Sequence, residues 1–242
     1  MKILVFAKRC LKEIVRDPLN LAFGLGFPIG ILLLLSAMQS NIPVDIFKIE
    51  SLAPGVGIFG LSFITLFSAT LLSKDRESLL LQRLYTTPLT ATDFILGYAL
   101  PFIPIALVQS AVCYGIALLL GLAPSVNILL ALLLSLPISF FYIALGLLCG
   151  SALNSKQVGG LCGALLTNLS AWLSGVWFDL SLLGSWFETL AKCLPFYYAV
   201  ELERAVICAN FSAVWGYLHP IIIFAVLTTA TAVLVFLRQM KD

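Results

Sequence analysis

Residues that could perform catalysis are few in this 242-residue sequence, and their spacing fits none of the common catalytic motifs. His219 is the one histidine, so the zinc motif H-E-x-x-H, which needs two, is excluded. There is no G-x-S-x-G turn, no G-x-x-x-x-G-K-[ST] loop for ATP and no C-x-x-C pair. Asp93 follows Thr90 at the spacing of a capping box, which predicts a helix start. We therefore expect no catalytic, cofactor-binding or metal-binding residue, with an intramembrane enzyme using His219 or Asp93 as an alternative.

Charge is concentrated instead between Lys74 and Asp93, in the stretch KDRESLLLQRLYTTPLTATD. On a helix over residues 75–86, the leucines share one side, two arginines stand on an adjacent side, and a proline then ends the helix. These residues are Leu80, Leu81, Leu84, Arg76, Arg83 and Pro88. Such a helix suits either a membrane surface, with its leucines in lipid, or an apolar groove on a cytoplasmic protein. The residues alone leave both interpretations open.

The segments before and after this charged stretch, which must position it, are far too apolar for a soluble domain. Hydrophobic residues make up 61% of the chain and charged residues 11%, with a mean hydropathy of +1.06. Charged residues make up about 25% of an average soluble domain. The formal charge of +2 is too small to indicate a nucleic-acid partner. The sequence predicts an all-α integral membrane protein surrounded by membrane lipid.

Uncharged runs of about 20 residues, the length that crosses the hydrocarbon layer as a helix, predict six transmembrane helices. They cover approximately residues 21–38, 52–73, 94–120, 128–153, 158–178 and 216–237. Lys and Arg are concentrated at the two termini and in the connections on the same side, which predicts that both termini are cytoplasmic. We expect a multi-pass protein of the cell membrane whose residues 1–242 form a single domain.

Residues 1–18 are predicted to form an amphipathic helix at the inner membrane surface. The apolar residues share one side of this helix, and the charged residues share the other. The apolar side consists of Ile3, Ala7, Cys10, Leu11, Ile14 and Val15, and the charged side of Lys2, Arg9, Lys12, Glu13 and Arg16. An extension of the first transmembrane helix is the alternative.

Residues 179–215 are predicted to form two short helices that enter the outer leaflet and return, because neither is long enough to span. Pro195 suits the first turn of the second helix. Glu201 and Arg204, three residues apart, are expected to form an ion pair. Cys193 and Cys208 both fall in this segment, and a disulfide between them is left open.

The charged stretch and its flanking residues, SKDRESLLLQRLYTTPLTATDFILGYAL, resemble the cytoplasmic loop of ABC type-2 permeases, the membrane subunits of one class of ATP-binding-cassette exporters. The matching residues are Asp75, Arg76, Glu77, Arg83, Leu84, Thr87, Pro88, Leu89 and Gly97, with Thr90 in place of Ser and Tyr98 in place of Lys. The segment KEIVRDPLNLAFGLGFPIGILLLL is similar to the surface helix and first span of the family. The segments WLSGVWF and LPFYYAVELERAV are similar to its motifs before the last span. Their matching residues are Ser174, Gly175, Phe178, Pro195, Tyr198 and Arg204, whereas Asp179 and Gly184 stand where the family has Pro.

The resemblance implies that residues 74–92 contain a coupling helix that docks on a separate cytoplasmic ATPase subunit, which binds the ATP and Mg²⁺. The residues expected to couple to the ATPase are Arg76, Glu77, Leu80, Leu81, Arg83, Leu84 and Pro88. In residues 179–215, the outer re-entrant segment, the residues marked out as functional are Glu188, Pro195, Tyr198, Glu201 and Arg204. A second permease subunit, as a homodimer or a paralogous heterodimer, would complete the pathway in a bacterial cell membrane.

The cargo is the least constrained part of the prediction. The predicted spans lack charge and are rich in Phe, Leu and Gly, which favours a lipophilic or amphiphilic cargo such as a drug, an antimicrobial peptide or a lipid. A polysaccharide or polyol polymer is the alternative within the family. A channel or carrier that works without an ATPase is a further alternative, and transport by the chain alone would support it.

Overall fold

The computed structural model describes residues 2–18, 22–39, 45–78, 80 and 90–239 of the protein. Every regular element in these ranges is helical, which confirms the all-α prediction for the described part of the chain. The first helix, α1 (Lys2–Arg16), buries Phe6, Ala7, Cys10 and Ile14. Of the apolar side predicted for α1, Ala7, Cys10 and Ile14 are thus buried, Ile3 and Leu11 are partly buried, and Val15 is exposed. The location of α1 at a membrane surface stays a prediction.

A π-helical turn, Ala22–Gly26, continues directly into α2 (Phe27–Gln39). Pro28 has no N–H group, so the carbonyl of Gly24 lacks the donor that an α-helix would supply from four residues later. The π-helical turn lies where this hydrogen bond is missing, as a single widened turn within a longer helix. A short 3-10 turn, Asp45–Phe47, then leads to the next helix.

The central helix of the bundle is α3 (Ile49–Glu77), which is buried along almost its whole length. It packs along α6 (Val126–Ala152) at very short range. A Cβ atom at Gly146 or Gly150 would lie 2.5 or 2.6 Å from a backbone carbonyl oxygen of α3. The G-x-x-x-G spacing thus lets two backbones approach, as small residues do in membrane helix pairs.

Between these two helices in the sequence lie α4 (Ala91–Ala99) and α5 (Phe102–Leu119). Thr90 caps the start of α4, and the Asp93 carboxylate accepts a hydrogen bond of 2.8 Å from the Thr90 backbone N–H. This reciprocal arrangement confirms the predicted capping box.

After α6 the chain continues as α7 (Ser155–Val158), a π-helical segment (Gly159–Leu166) and α8 (Thr167–Leu173). The Thr167 hydroxyl donates to the carbonyl of Cys162, five residues earlier, at 2.8 Å. The side chain thereby satisfies a carbonyl in the widened turns, where the α-helical pattern is interrupted.

The last part contains a 3-10 turn (Leu180–Leu183), α9 (Ser185–Lys192), α10 (Pro195–Ile207) and α11 (Phe211–Gln239). The two short helices predicted for this segment are thus present as α9 and α10. The inner side of α10 packs against α3, α6 and α11. Their entry into the outer leaflet stays a prediction.

Five helical stretches of the described chain are long and apolar enough to cross a membrane. They are Ala22–Gln39, Ile49–Glu77, Thr92–Leu119, Val126–Ala152 and Phe211–Gln239. They agree with five of the predicted spans. The remaining predicted span, 158–178, is helical only as far as Leu173 and is not among the five, so the count of six is not confirmed.

Candidate functional site

The carboxylate of Asp75, near the last residue of α3, lies at a buried junction of three helices. Asp75 as a whole residue is 2% exposed. It accepts hydrogen bonds from both terminal nitrogens of Arg9 on α1, with 2.7 Å between Arg9 Nη2 and Asp75 Oδ1. The Tyr98 hydroxyl on α4 donates to the same carboxylate at 2.7 Å. A buried carboxylate is thereby paired with a guanidinium in the bidentate geometry that makes such pairs strong.

The position of Arg9 follows from the packing of α1 on α4. The Phe6 ring meets the rings of Phe94 and Tyr98 edge to face, with centroids 5.7 and 4.9 Å apart. Gly97 makes room for this contact, since a Cβ there would lie 2.2 Å from the Phe6 ring. The hydrogen bonds to Asp75 raise the pKa of the Arg9 guanidinium still further above its ordinary value, so this cation stays charged at any physiological pH.

Arg76 binds the end of α6. Its Nη1 donates to the carbonyls of Gly150, at 2.7 Å, of Ser151, and of Leu153, at 3.3 Å. The last carbonyls of a helix lack partners within the helix and carry its negative dipole end. A guanidinium at this point therefore caps α6 from a neighbouring helix.

Glu77 binds the start of the next segment. Its carboxylate accepts hydrogen bonds from the backbone N–H and the hydroxyl of Ser155, at 2.8 and 2.7 Å. Asn154 caps the same turn through a reciprocal contact with Gln157. A negative charge at the N-terminal end of a helix is favourable for the same dipole reason. Unlike Asp75, Glu77 is exposed.

Three consecutive residues, Asp75, Arg76 and Glu77, thus tie the end of α3 to α1 and α4, to α6, and to α7. We call these three residues and their contacts the charged clamp. It lies immediately before residues 79 and 81–89, which are outside the described part of the chain. The end of the bundle that carries it is called the loop end.

The predicted docking residues fall into two groups. Arg76 and Glu77 have partners inside the protein, and Leu80 is partly buried. Leu81, Arg83, Leu84 and Pro88, with most of the predicted helix over residues 75–86, lie outside the described residues. Residues 75–77 belong to α3. Contact of these side chains with an ATPase stays a prediction.

Sequence reasoning did not identify Arg9, Asp75 and Tyr98 as a set. A signal was present, because Asp75 follows the buried residues Ser68 and Leu72 at helical spacing. A second signal was Tyr98, which stands where the family pattern has Lys. In this chain the Tyr98 hydroxyl reaches the carboxylate, and Arg9 supplies the positive charge.

At the opposite end, Arg204 of α10 joins three segments. It donates to the carbonyls of Ser51 and Gly175 at 3.2 and 3.0 Å and pairs with Glu201 at 2.9 Å. The predicted ion pair is therefore present. Among the other residues marked out there, Glu188 pairs with Lys192 at 2.6 Å, Pro195 begins α10, and Tyr198 packs against Tyr197 and Tyr217.

A second buried carboxyl, Glu203 on α10, was not singled out from the sequence. It is 1% exposed and accepts a hydrogen bond from the Tyr114 hydroxyl on α5. Its position on the inner side of an amphipathic helix, within the charged sequence ELER, was the available signal.

Neither metal chemistry nor a disulfide finds support in the described residues. No group of three or more His, Cys, Asp and Glu side chains among them could hold a metal ion. All six cysteines are free thiols, and Cys193 and Cys208 are exposed.

Long apolar helices, with the charged clamp at one end of their bundle, define a helical multi-pass membrane protein. The sequence from residue 1 to residue 208 matches the model of the ABC-2 type transporter family. This match covers most of the chain, and the protein belongs to that family. It is a transmembrane permease of the ABC transporter class. No curated protein matches the sequence.

Proposed function

We propose that the chain is the permease subunit of an ATP-driven exporter and that residues 79–89 dock on a separate cytoplasmic ATPase subunit. The observation that carries the proposal is the charged clamp, because it ties the end of α3, the helix that leads into residues 79–89, to four helices of the bundle. A loop held in this way can pass a displacement on to the helices, whereas a loop joined only through its backbone would bend. Family membership supplies the expectation of an ATPase partner and of pairing between two permeases.

The proposed topology has six crossings, both termini in the cytoplasm and the loop end facing the ATPase. The helical stretch over residues 155–173 supplies the sixth crossing, and α9 and α10 dip into the outer leaflet. Support comes from the charge distribution, since basic residues are concentrated at the loop end. A bacterial cell membrane is the proposed location.

The proposed cargo is lipophilic or amphiphilic. Two cavities between the helices, of about 120 and 270 Å³, support this class, since apolar side chains dominate their linings. The smaller lies between α4, α6 and α11, and the larger lies between α1, α3 and α5. Apolar walls favour acyl or aromatic groups over a hydrated polymer.

Co-purification with a candidate ABC ATPase subunit that is expressed together with this chain tests the proposal. We expect Leu84→Asp and Arg83→Glu to weaken the complex, because one buries a charge in an apolar groove and the other reverses a charge facing an acidic partner. The matched controls are Leu182→Asp, at a leucine that is 76% exposed at the opposite end, and Lys48→Glu. Equal recovery of ATPase with all four variants would contradict the docking role.

A further inference from the structure

We propose that the charged clamp transmits movement of residues 79–89 to the helix bundle through three branches, one at each of its residues. The Arg9–Asp75 pair belongs to the Asp75 branch, and through this pair the movement reaches α1. This inference rests on the proposed function, in which an ATPase displaces residues 79–89. It assigns Arg9, Asp75 and Tyr98 as positioning residues for transport.

The first step is the continuity of α3. This helix runs without interruption from Ile49 to Glu77, and the clamp occupies its last three residues. A displacement of the following loop therefore acts on the same turn of helix that holds Arg9, Tyr98, the end of α6 and Ser155. All four contacts lie within one helical turn, so they move together.

The second step is the difference in burial between the Asp75 branch and the Glu77 branch. The side chain of Asp75 is 3% exposed, whereas Glu77 is exposed to solvent. Water can replace the partner of an exposed carboxylate at little cost, but a buried carboxylate that loses its guanidinium is left uncompensated. The Asp75 branch is therefore the rigid one, and the Glu77 branch can exchange partners during movement.

The third step is the close packing of α1 on α4. Phe6 sits against Gly97, and Cys10 is buried one helical turn further along α1. The Arg9–Asp75 pair then joins this two-helix unit to α3. An N-terminal helix held by both a ring contact and a bidentate ion pair follows α3 as a rigid body.

Spin-label distance measurements on the reconstituted complex with the ATPase test the inference. One label is placed by Lys12→Cys on α1 and the other by Ser212→Cys at the start of α11, with Cys10, Cys193 and Cys208 replaced by alanine. In the parent chain we expect the distance distribution to shift when ATP and vanadate are added. With Asp75→Asn or Arg9→Gln we expect the shifted fraction to fall about tenfold, the size of a typical allosteric coupling.

Glu13→Gln is the matched control, since it neutralises the other acidic partner of Arg9, 2.7 Å away, on the same helix. It should leave the shift unchanged. The exchanged pair, Arg9→Asp with Asp75→Arg, should restore part of the shift in distance. For each variant, recovery of the ATPase in the purified complex shows that the permease is folded. Arg9→Lys, which keeps the charge without the bidentate contact, serves if the Gln variant does not fold, and it should give an intermediate shift.

The outcomes separate the two proposals. A full shift in Asp75→Asn and Arg9→Gln, with the ATPase bound, overturns the inference and leaves the proposed function intact. A parent chain that does not bind the ATPase overturns the proposed function and, with it, the inference.

Discussion

At the scale of single residues, Asp75 shows how a charge can be retained in an apolar helix bundle. Removing a carboxylate from water costs several kcal/mol, about as much as many domains gain in total from folding. Asp75 meets this cost with a bidentate guanidinium and a phenol hydroxyl. A hydrophobic residue would avoid the cost altogether, so this balance agrees with the positioning role proposed above for Asp75.

Cys10 offers a reporter of this junction. It is fully buried beside Arg9, and burial raises the pKa of its thiol to about 12. Because the thiolate is the reactive form, we expect Cys10 to resist maleimide in the solubilised parent chain, while the exposed Cys193 and Cys208 react. Mass spectrometry of labelled peptides measures all three sites in one sample.

Arg9→Gln should speed the labelling of Cys10 by at least about tenfold, since losing one partner of a buried pair costs about 3–5 kcal/mol and each 1.4 kcal/mol is tenfold. Cys193 and Cys208 should keep their rates and serve as internal controls. An unchanged Cys10 rate would mean that Arg9 does not hold α1 on the bundle.

At the scale of elements, the contact between α3 and α6 organises the bundle. Gly146 and Gly150 bring the two backbones together, and Thr65 donates to the carbonyl of Tyr142 at 2.9 Å across the same interface. Close backbone packing and interhelical hydrogen bonds drive association where lipid competes equally well for apolar side chains.

Gly146→Ala should therefore destabilise the protein by about 1–3 kcal/mol, the usual cost of overpacking. The new Cβ would lie 1.9 Å from the Ser68 hydroxyl oxygen and 2.5 Å from the Thr65 carbonyl oxygen. Thermal unfolding of the detergent-solubilised chain measures the change. Gly115→Ala on α5 is the matched control, because apart from the adjacent residues and the backbone of the same helix no atom lies within 4 Å of its new Cβ. Equal melting temperatures for the two variants would contradict the close approach.

Local features could be predicted from the sequence because their causes are local. The capping box of Thr90 and Asp93 and the pairing of Glu201 with Arg204 depend only on a spacing of three residues along a helix. The Arg9–Asp75 pair depends on how α1 packs on the bundle, which no short-range pattern encodes. The π-helical segment Gly159–Leu166 was likewise missed, since hydropathy does not distinguish it from a straight helix.

At the scale of the whole molecule, hydropathy predicted the long apolar helices of the described residues but not the geometry of the predicted span 158–178. Five long apolar helices were predicted at nearly their observed positions. The segment 155–173 is interrupted by widened turns and carries a charged and polar start, so length and composition do not mark it as a span. Arg76 and Glu77 were predicted to couple to the ATPase, and at the end of α3 both also have partners inside the protein.

The proposed orientation can be measured with a membrane-impermeant thiol reagent. In intact cells we expect Cys193 and Cys208 to react, because both lie exposed at the end opposite to the charged clamp. A cysteine introduced by Lys156→Cys at the loop end should react only after permeabilisation, since basic residues favour the cytoplasmic side. The reverse pattern would place the loop end outside and exclude docking on a cytoplasmic ATPase.

The clamp also sets an order of events during biosynthesis. The ribosome makes Arg9 66 residues before Asp75, and Tyr98 is made later still. While the chain is being inserted, α1 has neither its carboxylate partner nor the ring surface of α4 to hold it. It can take the place seen in the structure only after α3 and α4 have been made. The docking of α1 is thus a late event relative to its own synthesis.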